Sequence, residues 1–308
     1  MEIVTYFDSK YSDRGISMIE SIKKHEPGSK FHILCLDKEV EKILDFFYSD
    51  DTSIKKYSLE SIEKKYPEIL DAKKNLESGF FVPKRYFNFT PYQNYLWILT
   101  PFFCNIILKE CDSGEILYCD ADLYFYDNFK ELKRELQDYS VGIVTHITPY
   151  HVMNDTPSGK YNVGIVYFKR SEMGVSCSDF WKWLLLNEPN HNFYEKYGSC
   201  GDQKYLELFP NNPFFGNSVK IIGDSLTYGA VWSWEEFKFI DKLFVILDGS
   251  TKKILFSHFS SLVINDEGYD SYRDGPNKPI NINNYIKELY DEYFLDVIEV
   301  RKKIKDIK

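Results

Sequence analysis

The chain has 308 residues, 44% of them hydrophobic and 28% charged, a globular composition that excludes disorder, collagen and coiled coil. Lys and Arg number 38 against 47 Asp and Glu, and the formal charge of −9 argues against a protein that grips nucleic acid or anionic lipid through its overall field, leaving only a local basic patch. The six cysteines (Cys35, Cys104, Cys111, Cys119, Cys177, Cys200) contain no Cys-x-x-Cys pair, so neither a zinc knuckle nor a disulfide framework is indicated.

In chain order, Glu2–Phe7 reads as a first strand; it lacks the basic start of a secretion signal, and the expected location is cytoplasmic. An amphipathic helix over Asp13–His25 follows, with Asp13 as its cap and Pro27-Gly28 as its stop. Then come a strand at Phe31–Leu36 and a helix at Lys38–Tyr48. Residues Tyr57–Thr90 are polar, lysine-rich and poorly periodic, and read as a lid or insertion. Tyr92–Glu110 is a helix whose apolar run, Tyr95 to Leu108, is too short to span a bilayer. Strands follow at Glu115–Cys119, Val141–Thr145, Tyr161–Phe168, Val219–Ile222 and Ile254–Phe259, with a helix at Glu172–Leu186. Such alternation predicts an α/β fold, helices flanking a sheet. A last helix, Ile282–Ile307, repeats Ile282, Ile286, Leu289, Tyr293, Val297, Val300 and Ile304 three or four apart and ends in Arg301, Lys302, Lys303 and Lys305. Docking on the body is the favoured reading of this helix, and peripheral membrane contact the alternative.

The sharpest local feature is Cys119-Asp120-Ala121-Asp122 at the end of an apolar strand. Residues i and i+2 of an extended chain face one side, so the two carboxylates can converge on a hard divalent cation, although turns after strands are rich in Asp for backbone reasons alone. Asn162 and Gly164 stand at the mouth of another strand, Asp202 and Gln203 open a helix, and His258 lies on an apolar strand where it could complete a cation site. Each has a bland reading: a strand start, an N-cap, a core histidine.

In this order the pieces resemble the GT-A glycosyltransferases of the glycogenin and lipopolysaccharide galactosyltransferase type, over residues 1–260. The resemblance implies a GT-A (Rossmann-like) mixed sheet in a domain of residues 1–265, with a C-terminal helical extension at 266–308. It implies that Asp120 and Asp122, with Ala121 between them, and His258 hold Mn2+ or Mg2+ against a donor diphosphate. It places Asn162 and Gly164 beside the donor sugar, and Asp202 and Gln203 next to the transferred hexose. Were retaining stereochemistry to carry over, the leaving diphosphate would help deprotonate the acceptor hydroxyl. Thr5, Tyr6, Asp8 and Tyr11 fall on the nucleotide-binding strand and turn, where tyrosine rings suit a uracil and Asp8 its hydrogen bonds. Members of this type often follow the late His with a Gly and a diphosphate-gripping Lys; here His258-Phe259-Ser260-Ser261-Leu262 has no Lys, and Arg14, Lys84 and Arg85 are the candidate replacements. His146 and His151 are reserve candidates for contact with the acceptor or for base work.

The expected activity is therefore transfer of a hexose from a nucleotide-diphosphate sugar, a UDP-sugar first, to a hydroxyl on a glycan, glycolipid or glycoprotein, as in polysaccharide biosynthesis. A haloacid-dehalogenase phosphatase is disfavoured because Tyr124 stands where Asp-x-Asp-x-Thr requires Thr. A glycoside hydrolase using Asp120 and Asp202, or a non-catalytic sugar-nucleotide-binding scaffold, are the alternatives.

Overall fold

The computed structural model describes residues 1–79, 89–147, 156, 158–188, 201–265, 267–270 and 283–307. The element order is β1 (Glu2–Phe7), α1 (Ser12–His25), β2 (Phe31–Cys35), α2 (Lys38–Tyr48), β3 (Ile54–Ser58), α3 (Leu59–Lys65), α4 (Pro67–Glu77), α5 (Pro91–Glu110), β4 (Glu115–Cys119), β5 (Leu123–Phe125), α6 (Lys130–Leu136), β6 (Val141–Thr145), β7 (Tyr161–Lys169) and α7 (Glu172–Leu186). It continues with β8 (Val219–Ile222), β9 (Leu226–Ala230), β10 (Lys238–Phe239), β11 (Phe244–Leu247), β12 (Ser250–His258), β13 (Val263–Ile264), β14 (Tyr269–Asp270) and α8 (Asn284–Lys305). The larger sheet has the order β3-β2-β1-β4-β7-β6-β8. It is mixed: β1 and β4 run parallel, while β7 is antiparallel to both β4 and β6. The chain divides into two compact units.

The first unit comprises Met1–Val4, Tyr57–Cys119 and Leu136–Ile221. Its strands β4, β6 and β7 are almost wholly buried, as the near-continuous apolar runs require. Helix α5 opens on a capping box in which Thr90 and Gln93 satisfy each other's backbone N–H groups. It is buried on nearly every side, and Asn105 from its middle donates to Ser178 Oγ at 3.1 Å and Asp179 Oδ1 at 2.9 Å of α7. Within the stretch read as a lid or insertion the chain forms α3 and α4 up to Glu77, with Ser58 capping α3 and Leu59, Ile62, Ile69 and Leu76 buried, and residues 80–88 lie outside the described residues. Short amphipathic helices were hidden there by an excess of Lys and Glu.

The second unit comprises Thr5–Lys56, Asp120–Glu135 and Ile222–Lys308. It holds a sheet of order β10-β11-β12-β5 with β9 parallel to β12, which the sequence reading reduced to the single strand Ile254–Phe259. Helix α1 begins at Ser12, so Asp13 is not its cap. That carboxylate instead accepts two bonds from Arg301 of α8, at 2.9 and 2.7 Å. Gly15 lets α1 approach β1, because a Cβ there would lie 2.5 Å from the Phe7 ring. Helix α8 buries six of the residues in the periodic set, Ile286, Leu289, Tyr293, Val297, Val300 and Ile304, together with Tyr290, and Ile282 lies outside the described residues. Cys35, Cys104, Cys111, Cys119 and Cys177 are buried and form no disulfide among the described residues, and Cys200 lies outside them. Among the described residues no helix is long and apolar enough to cross a membrane.

Candidate active site

In the second unit the Asp120-Ala121-Asp122 turn leads into β5, with Leu123 N donating to Asp120 O at 3.3 Å. Strand β5 pairs antiparallel with β12 in the register Leu123↔His258, and Phe259 N donates to Asp122 O at 3.0 Å. Strand register therefore delivers the last residue of β12 to the turn. His258 Nε2 lies 3.2 Å from Asp122 Oδ1 and 3.6 Å from Asp120 Oδ2, and one ligand atom from each of the three residues falls within 4.8 Å of the others. Burial opposes charge on both Asp122 and His258. The facing imidazolium and then the charge of Arg14 overcome this and hold Asp122 below the usual carboxylate range. Asp122 and then Asp120 likewise hold His258 above its ordinary value. Two carboxylates and an imidazole at this spacing fit Mn2+ or Mg2+, whose charge would take the place of the shared proton.

Around the start of α1, the expected residues fall into two groups. Tyr11 is partly exposed, Arg14 lies over its ring at 4.7 Å, and the Arg14 guanidinium also donates to Leu262 O at 2.9 Å. Burial and then Asp122 push the Tyr11 hydroxyl up, so ring, guanidinium and carboxylate share one neighbourhood. Asp8 is occupied in part by its own turn, one carboxylate oxygen accepting from Lys10 N and Tyr11 N. Thr5 is fully buried and Tyr6 half-buried. Lys84, Arg85 and His151 lie outside the described residues.

In the first unit, Asn162 near the start of β7 and Gln203 at the start of a short 3-10 helix, Gln203–Leu208, are brought together. Asn162 Nδ2 donates to Gln203 Oε1 at 3.2 Å, and Val163 N donates to the same oxygen at 3.3 Å. The Gly164 N–H donates to Asn162 Oδ1 at 2.9 Å. Asp202 is buried and its carbonyl accepts from Trp181 Nε1 at 3.1 Å; it precedes the short helix without capping it. Gly201 before it has φ 66° and faces Trp97 so closely that a Cβ would stand 2.6 Å from the ring, which fixes where the Asp202-Gln203 pair emerges.

No protein-family model matches the chain. The uncharacterized protein YfnF of Bacillus subtilis strain 168 is 24% identical over 257 residues, covering 80% of this chain and 77% of that protein. Mouse xyloside xylosyltransferase 1, in its apo form, superposes with a TM-score of 0.55 at 12% identity, covering 85% of this chain and 98% of its own. The galactosyltransferase LgtC, in complex with donor and acceptor sugar analogs, superposes at 0.53 with 14% identity, covering 97% and 96%. The fold is GT-A.

A GT-A frame accounts for the mixed sheet and the helices around it; the chemistry rests on this chain's own side chains. Two aromatic side chains that touch His258 or its neighbour Phe259 were not singled out for the site, Tyr293 having been read only as part of the apolar face of the last helix. Trp232 packs edge-on against His258 with ring centroids 5.4 Å apart. Tyr293 of α8 is fully buried, stacked on Phe259 at 4.0 Å, and its hydroxyl has no hydrogen-bond partner among the described residues. Burial raises its pKa well above the ordinary value, and Asp122 adds to the rise. Neither position carries a local signal, because an aromatic residue on a buried face reads as core.

Proposed function

We propose that this chain is a metal-dependent glycosyltransferase that moves a hexose from a nucleoside-diphosphate sugar, UDP-sugar first, to a hydroxyl on a glycan, glycolipid or glycoprotein. The observation that carries the reading is the convergence of Asp120, Asp122 and His258 in a turn set by strand register, with Arg14 and Tyr11 beside it. The three ligands would hold Mn2+ or Mg2+, which when bound offsets negative charge on a diphosphate leaving group. Arg14 supplies the protein's own cation for that diphosphate in place of the lysine missing after His258, and the Tyr11 ring offers the base a face to stack on. Asn162 and Gln203 are proposed to take the sugar, with hydroxyl-matching amides. That two structures of this fold similar to the chain are a xyloside xylosyltransferase and a galactosyltransferase supports the reaction class.

The test is thermal unfolding with UDP, GDP, CMP and dTDP, each with and without Mn2+, since a ligand that binds only the folded state raises Tm. One nucleotide that raises Tm only with metal supports the proposal and selects the donors for a transfer assay. No shift with any pair overturns it and returns Asp120 and Asp122 to the role of turn residues.

A further inference from the structure

Backbone groups of the first unit identify which terminal atoms of His146, Asn162 and Gln203 face one another. His146, at the end of β6 and 4% exposed, has Nδ1 2.7 Å from Gly159 O. A carbonyl only accepts, so Nδ1 carries the hydrogen, and in a neutral ring Nε2 is then an acceptor. Asn162 Nδ2 stands 3.4 Å from that Nε2. The Gly164 N–H, which only donates, identifies the other Asn162 terminal atom as oxygen. Among the described residues the amide nitrogen of Asn162 thus meets two acceptors, His146 Nε2 and Gln203 Oε1. The Val163 N–H independently identifies Oε1 of Gln203. Both bonds to Gln203 end on its oxygen.

We propose that His146 is a positioning residue which, through Asn162, holds Gln203 with its side-chain amide nitrogen, and not its oxygen, offered to the ligand. Naming that ligand as a sugar rests on the glycosyltransferase reading; the orientation does not. The group facing Gln203 is then a hydrogen-bond acceptor, such as a hydroxyl or ring oxygen. Gln203 Oε1, turned to Asn162 and Val163, is not presented as a nucleophile. His146 is likewise unsuited to base work, because its lone pair is aimed at the Asn162 amide. Ile147, next in the chain, has φ 61°, a strained conformation for a β-branched residue that persists only where its surroundings hold it. The backbone turns sharply just after His146 with the ring kept on Gly159 and Asn162.

The test combines nitrogen NMR on the full chain with three variants. The expected spectrum shows a single neutral His146 tautomer protonated at Nδ1; a ring protonated at Nε2 overturns the relay. His146→Phe removes the acceptor opposite Asn162, and kcat for sugar transfer should fall about tenfold, the value of one hydrogen bond, while affinity for the nucleoside diphosphate alone stays the same. His146→Gln, which can restore an acceptor there, should recover most of the loss. Unchanged kcat in His146→Phe overturns the proposal. Should that variant fail to fold, Gln203→Glu decides: it keeps an oxygen for Asn162 and Val163 but replaces the offered N–H with an acceptor, so donor-sugar affinity should fall, whereas retained affinity means that oxygen was the atom offered. A chain that transfers no sugar defeats the glycosyltransferase reading separately, since the tautomer and the Gln203 side-chain amide resonances still report the orientation.

Discussion

At the scale of single residues, the cluster makes the strongest demand on Asp122. Its carboxylate faces His258 at 3.2 Å, so removing it takes away a proposed cation ligand and the nearer partner of a buried imidazole together. Asp122→Ala should abolish the metal-dependent nucleotide shift and lower turnover at least about a hundredfold, with unfolding still cooperative; retained activity would leave the metal assignment without support. His258→Ala should instead raise the Mn2+ concentration needed for half-maximal activity about tenfold or more, checked by metal titration. Most of this cluster was legible because Asp-x-Asp after an apolar strand is a pattern local to the chain. His258 was legible only through resemblance, since what brings it to the turn is the pairing of β5 with β12, 135 positions apart in the register Leu123↔His258. Asp13 was misread for the complementary reason: an acid near a helix start suits a cap, and the distant Arg301 that claims it leaves no trace nearby.

At the scale of elements, helices and strands with strong periodicity were readable to within a few residues, as α2, α7 and β4 show. Short strands were not: β5, β10 and β13 have only two or three residues each and acquire their state from pairing. Such segments need anchors, and Glu135 at the end of α6 is one. Its carboxylate accepts from the backbone N–H groups of Gly223, Asp224, Ser225 and Leu226 at 2.8 to 3.2 Å, fastening the turn before β9. Burial works to raise its pKa, but the bonds from Gly223, Ser225 and Asp224 and the Ser225 hydroxyl hold it below the ordinary glutamate value. A carboxylate with a lowered folded pKa stabilises above its unfolded pKa and loses that contribution as pH falls through the folded value. Glu135→Gln should therefore cost about 2 kcal/mol in urea unfolding at pH 7, with the difference from the natural chain shrinking below about pH 4. A constant difference across that range would mean that packing, not charge, is what the substitution removes.

For the molecule as a whole, the chain path limits what can be removed. Each unit draws on three separate stretches of sequence, so no single cut leaves both intact. Helix α8 is the nearest to a removable piece by sequence position, and the second unit shows how much depends on it. It contributes seven buried side chains, and Tyr124 of β5 donates from its hydroxyl to Asp296. Arg301 adds a two-pronged grip on the buried Asp13 and a third bond to Ile264 O at 3.0 Å. At about 1.5 kcal/mol or more per buried apolar side chain, seven of them amount to roughly 10 kcal/mol, comparable with the whole net stability of an ordinary domain. A chain ending at residue 265 should accordingly fail to fold, seen as loss of a cooperative transition and binding of a hydrophobic dye. The same helix gives a gentler test: Arg301→Ala strands the Asp13 carboxylate and should cost about 3 kcal/mol, while Arg301→Lys, which cannot reproduce the planar fork, should recover little of it. A truncated chain that unfolds cooperatively at the natural Tm would show that α8 is an appendage, and its cationic last turn would then be free to serve as a membrane contact instead of a clasp.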